Sequence, residues 1–162
     1  MKSKIYLFLL TLVSISANAK NLCLPTEETV FSFETKAKKT LSLCKNSNKN
    51  YLTYKFGTPK NIELQFPAKL DKTSWGKFEF SGMSRPGGKM NAGFGDYSLS
   101  FENENAAYTI FQQWSYENDG YAIGVTITGN GKPVTVKGLK KTQEGSLVLL
   151  EKEENIRNVA EQ

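Results

Sequence analysis

Tyr51-Leu52-Thr53-Tyr54-Lys55-Phe56-Gly57-Thr58-Pro59-Lys60-Asn61-Ile62-Glu63-Leu64-Gln65-Phe66 decides the fold class. Leu52, Tyr54 and Phe56 alternate with polar neighbours, and so do Ile62, Leu64 and Phe66. Period two puts each set on one face of a strand. Gly57-Thr58-Pro59-Lys60 between them is a turn, and a turn this short makes the two strands antiparallel neighbours.

The same pattern runs outward in both directions. Upstream, Val30–Thr35 and Lys39–Lys45 read as strands, with Phe31, Phe33, Leu41 and Leu43 inward and Cys44 on the opposite face. Downstream, Lys77–Ser81, Tyr97–Phe101, Ala107–Trp114, Tyr121–Thr128 and Pro133–Lys137 continue it. Gly129-Asn130-Gly131 supplies the residues that tolerate positive φ in a tight hairpin. The apolar run Ser146–Leu150 reads as a strand buried on both faces. Residues 67–75 could be helical. The expected fold is all-β: an antiparallel β-sandwich or closed barrel of about 8–10 short strands, since both architectures bury alternate residues.

Residues 1–19 are expected to be a secretory signal peptide. Lys2 and Lys4 precede the apolar run from Ile5 to Val13, and Ala17-Asn18-Ala19 forms an A-x-A cleavage site. The run is too short for a membrane span, which needs roughly 20 residues. Residues 20–150 then form a single β domain, and 151–162 a polar C-terminal tail, a short helix at best or frayed. The expected location is outside the cytoplasm, in the periplasm or the medium. Cleavage would remove two lysines, leaving 19 basic and 16 acidic residues, a formal charge of +3. The remaining lysines are scattered and include Lys36, Lys38, Lys39, Lys45, Lys49, Lys137, Lys140 and Lys141. They suit either a solvated surface or an anionic one such as wall polymer or lipid.

Cys23 and Cys44 are the chain's two cysteines. An oxidising compartment favours one disulfide between them, pinning the new N-terminus. The loop closed, about 20 residues, is worth on the order of 3 kcal/mol.

Several chemistries are excluded. With no histidine in the chain, Ser-His-Asp and Cys-His catalysis and most zinc sites are absent. Gly82-Met83-Ser84-Arg85-Pro86-Gly87-Gly88-Lys89-Met90 approaches a phosphate loop. Its lysine comes one place late, however, and Met90 stands where a hydroxyl must hold magnesium. No nucleotide, nucleic acid, metal or cofactor is expected. Carboxylates remain as a catalytic option: Asp96, Glu102, Glu104, Glu117 and Asp119 lie around the second-half loops. Glycoside hydrolysis would need two of them about 5–9 Å apart.

The stretch from Ser81 to Tyr97 has five glycines and reads as a long loop between two strands. Loops of this length are functional or mobile. The candidate contact loop comprises Ser81, Met83, Arg85, Lys89, Met90 and Phe94. A second candidate surface is aromatic: Trp114, Tyr116 and Tyr121. Its rival reading folds these rings back onto the sheet.

Tyr54-Lys55-Phe56-Gly57, Ile62-Glu63-Leu64, Phe66-Pro67, Phe80-Ser81-Gly82 and Tyr97-Ser98-Leu99-Ser100-Phe101 together resemble a group of small exported bacterial β proteins, over residues 28 to 128. That resemblance implies a fold and a compartment. In size, export and β content the chain is also similar to periplasmic lysozyme inhibitors, whose Ser-Gly-x-x-Tyr loop enters the lysozyme cleft. Here Arg85 stands where that tyrosine is expected. The expectation is an exported, non-catalytic binding domain that takes a protein or a cell-envelope glycan, with an inhibitor of a cell-wall-degrading enzyme such as lysozyme as one form. The alternatives are a carboxylate-based cell-wall or glycan hydrolase and a structural surface or assembly component with exposed edge strands.

Overall fold

A computed structural model describes residues 21–89, 91–117 and 120–159. The expected signal peptide, Met90 and Asp119 lie outside the described residues. Among the described residues, eleven strands form two sheets: β1 Glu27–Glu34, β2 Thr40–Asn46, β3 Leu52–Thr58, β4 Asn61–Phe66, β5 Glu79–Arg85, β6 Phe94–Asn103, β7 Ala106–Ser115, β8 Gly120–Thr128, β9 Val134–Lys137, β10 Glu144–Gly145 and β11 Arg157–Asn158. The five-stranded sheet runs β10-β1-β2-β3-β4 and the six-stranded one β11-β5-β6-β7-β8-β9. The fold is a sandwich, not a closed barrel. Three short 3-10 helices, η1 Lys72–Lys77, η2 Lys140–Thr142 and η3 Leu147–Lys152, sit between strands. No helix among the described residues is long and apolar enough to cross a membrane.

The alternation read from the sequence sets the core. Leu52 and Tyr54 of β3 share one buried core with Phe80, Leu99, Phe101 and Ile110 of the other sheet. Phe101 stacks between Phe66, at 4.3 Å, and Tyr108, at 4.8 Å. The outer face of the five-stranded sheet is also covered. Leu22 N–H donates to Ser42 Oγ at 2.9 Å, and Cys23 is bonded to Cys44 with their Cα atoms 5.6 Å apart. The expected disulfide is therefore present and holds the start of the described chain across the sheet. Beneath this cover lies an ion pair, Lys55 Nζ to Glu27 Oε2 at 2.7 Å, with side chains 5% and 0% exposed.

Three expectations change. Ser146–Leu150 is not a strand. Ser146 caps η3, its Oγ accepting from Val148 N–H, and Leu147 and Leu150 go into the core three residues apart while Leu149 stays exposed. A short apolar run fits either periodicity, and here a capping serine favours the helix. Residues 151–159 do not trail away. Glu153 binds Lys45 at 2.7 Å and Lys49 at 3.0 Å, Ile156 is buried, and β11 pairs in parallel with β5.

The third change matters most for function. The long loop expected between Ser81 and Tyr97 is mainly sheet. β5 and β6 stay paired from Glu79↔Ser100 to Arg85↔Phe94, leaving only residues 86–93 as a tip. Gly82 and Gly95 are strand positions where rings fill the space of a side chain. A Cβ on Gly82 would meet Phe80 and Tyr97 at 2.8 Å, and one on Gly95 would meet Trp114 at 2.2 Å.

Candidate hairpin contact site

The β5–β6 ladder places Ser81, Met83 and Arg85 on one face, alternating with Phe80, Gly82 and Ser84. Phe94 and Asp96 lie opposite Arg85 and Met83. That face is the outer one, because Phe80 and Tyr97 on the other face are buried in the core. Met83 is 59% exposed. Ser81 is half-buried within β5, paired with Ser98 rather than sitting at a loop.

The tip is closed by its own bonds. Gly88 N–H donates to Asn91 O at 2.9 Å, and Arg85 Nη2 donates to Ala92 O at 3.0 Å. The Arg85 guanidinium also lies 5.2 Å from the Phe94 ring centroid, a cation–π contact. Arg85 thus braces the tip from within. As a member of the expected contact loop, it has to share the guanidinium with these bonds. Lys89 is exposed at the tip, and Met90 lies outside the described residues.

Tyr116 joins this hairpin from the neighbouring strand. Its N–H donates to Gly93 O at 2.9 Å, and its ring sits so close that a Cβ on Gly93 would approach it to 2.8 Å. The ring is nevertheless 68% exposed. Gly87, Gly88, Lys89, Asn91, Ala92, Gly93 and Tyr116 line an open concavity of about 560 Å³. Its walls are largely glycine backbone, so the donors and acceptors of the main chain are within reach of a partner.

The three aromatics separate. Trp114 stacks on Tyr97 at 5.3 Å and lies over Gly95, half-buried. Tyr121 accepts from Gln112 Nε2 at 3.1 Å, donates to Gln143 Oε1, and carries Lys140 Nζ 4.3 Å above its ring. Both are spent on the fold. Tyr116 alone is offered to solvent, and it belongs with the hairpin. Sequence reading placed it in a different loop because the contact between residues 93 and 116 comes from strand order, which no local motif encodes.

Asp96 and Glu102 do not form the pair that the hydrolytic option requires. Asp96 and Glu102 share the outer face of β6 six residues apart, roughly 20 Å at strand rise. That exceeds the span of either hydrolytic geometry. Asp96 instead accepts from Gln113 Nε2 at 3.1 Å. Glu104 sits in the β6–β7 turn with φ +54°, and Glu117 is exposed beyond β7. Glu102 shares a cavity of about 460 Å³ with Glu79, Phe66, Phe101, Ser100 and Lys77 at the far end of the sheet. Cys23, Cys44 and Glu27 also bring potential ligand atoms together. The two sulfurs are bonded to each other, and Glu27 already takes Lys55, Tyr51 Oη at 3.0 Å and Leu24 N–H at 2.6 Å. With the disulfide intact that trio offers no ligand set.

The chain matches no protein-family model, no curated protein and no solved structure.

Proposed function

We propose that this protein is an exported, non-catalytic binding domain that presents the β5–β6 tip and Tyr116 to a cleft on a protein partner, with a cell-wall-degrading enzyme such as a lysozyme as the partner class. The observation that carries the reading is Tyr116: a large ring, exposed, fixed through its backbone to a closed and glycine-walled tip. A ring held in place loses little conformational freedom on binding, which is how a single aromatic becomes an anchor. The disulfide is compatible with export. The test is lysis of a cell-wall suspension by lysozymes of each class, with and without stoichiometric protein. Inhibition is expected, and Tyr116→Ala should weaken it by at least roughly tenfold, as for a central anchor. No inhibition of any class at micromolar protein removes the lysozyme version.

The cavity shared by Glu79 and Glu102 supports a second reading, a glycan hydrolase. The register Glu79↔Ser100 puts Glu102 on the diagonal, about 7–8 Å away between Cα atoms, beside two phenylalanine rings. Against it, Glu79 is held by Arg157 Nη1 at 2.9 Å. Turnover of a peptidoglycan or glycan panel that Glu102→Gln abolishes would favour this reading over the first.

A further inference from the structure

The turn between β1 and β2 and the segment after β9 meet at one end of the sandwich. Thr35 bridges Gly138, and Leu139 N–H donates to Glu34 O at 2.8 Å. These contacts gather Lys36 and Lys38 from the turn with Lys137 at the end of β9 and Lys140 and Lys141 beyond it, all exposed. Lysines 39, 45, 49, 55 and 69 each meet a carboxylate, whereas Lys60, Lys72, Lys77, Lys89, Lys132 and Lys152 are unpaired among the described residues but lie on other segments of the chain. Among the described residues none of the five gathered here has an ion-pair partner. Behind them Glu34 and Glu144 line a recess of about 150 Å³ with Lys141, and Glu144 is bonded to Asn21 at 2.6 Å. The five charges exceed the +3 of residues 20–162, so the rest of that chain is close to neutral.

We infer that this lysine end is a docking surface for an anionic phospholipid bilayer. The choice of occupant follows from what the surface offers and lacks. Every cation in it is a lysine, a compact point charge that reads a field, with no arginine fork to hold one carboxylate or phosphate bidentately. The aromatic ring within it, Tyr121, lies under Lys140, so no shelf is open for stacking a sugar. Of the large exposed apolar residues Leu24, Ile62, Met83, Tyr116, Val134 and Leu149, Val134 alone lies on an element of this surface, at the other end of β9 from Lys137. Such a surface adsorbs at headgroup level through summed charge, without insertion, as clusters of four to eight lysines do on anionic membranes.

The test is co-sedimentation of the purified chain with phosphatidylcholine vesicles and with vesicles containing phosphatidylglycerol, at low and high ionic strength. Binding to the anionic vesicles is expected at low ionic strength and its loss at high, since screening shortens the field. The variant Lys36→Gln/Lys38→Gln/Lys137→Gln/Lys141→Gln spares Lys140 on its ring. Its affinity for anionic vesicles should fall by roughly six-hundredfold, from about fivefold for each of four lysines. An unaltered thermal midpoint should accompany that fall, because all four side chains are exposed. Failure to bind anionic vesicles, equal binding to neutral ones, or full affinity in the quadruple variant would overturn the inference. Capture by soluble polyphosphate with vesicles left unbound would overturn it too, moving the surface to a polymer. Lysis inhibition by the hairpin is a separate readout, so the two proposals fail independently.

Discussion

Lys55→Met removes the cation from the most deeply buried ion pair and leaves the carboxylate behind. Lys55 Nζ and Glu27 Oε2 are 2.7 Å apart under the segment tied down by the Cys23–Cys44 disulfide. Removing one partner of such a pair costs about 3–5 kcal/mol, because the remaining charge is stranded in a poor solvent. Glu27 keeps two other donors, Leu24 N–H and Tyr51 Oη. These soften the loss and place the expected value near the lower end, about 3 kcal/mol. Urea unfolding followed by tryptophan fluorescence measures it. With a slope of about 1–3 kcal/mol/M, the midpoint should fall by at least about 1 M. Lys55→Met/Glu27→Gln should recover part of the loss, because it removes the stranded charge. A deficit under about 1 kcal/mol, with no recovery in the double variant, would show that the pair behaves as a surface bridge, and the account of a sealed outer face would be wrong.

Thiol titration of the denatured, unreduced protein should find no free thiol, and Cys23→Ala/Cys44→Ala should lower stability by about 2–4 kcal/mol. Burial pushes Glu153 up, but the hydrogen bond from Lys45 and the ion pair with Lys49 outweigh it and hold the carboxyl below its ordinary range. A depressed carboxyl contributes stability above its unfolded pKa, near 4.3, that is lost as pH falls through the lower folded value. Unfolding midpoints should therefore drop as pH falls from about 5, and Glu153→Gln should flatten that slope. Gly95→Ala should cost about 1–3 kcal/mol by displacing Trp114 from its stack on Tyr97, visible as a change in near-UV circular dichroism.

Period-two alternation was enough to place most strands, because each buries one face and a strand has no other way to do so. Phe31, Leu43, Tyr54, Leu99 and Ile123 are all core, as that rule requires. The misread hairpin has one cause. Gly82 and Gly95 read as loop punctuation, yet Phe80, Tyr97 and Trp114 occupy the space beside them. A glycine that clears a ring and a glycine that permits a turn are identical in sequence. Only strand order tells them apart. Lys55 alternates correctly onto the outer face but is buried there, since the cover depends on the disulfide. The candidate site was legible in part: residues 81–97 were the right region, but the hairpin, the bracing role of Arg85 and the junction with Tyr116 depend on contacts across strands. The lysines of the further inference looked scattered because the bridge between Thr35 and Gly138 joins segments about a hundred residues apart.

Site-specific photocrosslinking in the native compartment tests the central claim most directly. A benzoyl-phenylalanine would replace Tyr116 at the hairpin and, in a second variant, Asn130 in the β8–β9 turn, at the opposite end of the same sheet. The account predicts one discrete protein adduct from position 116 and none from position 130. Adducts from position 130 with none from 116 would place the contact surface elsewhere and contradict it.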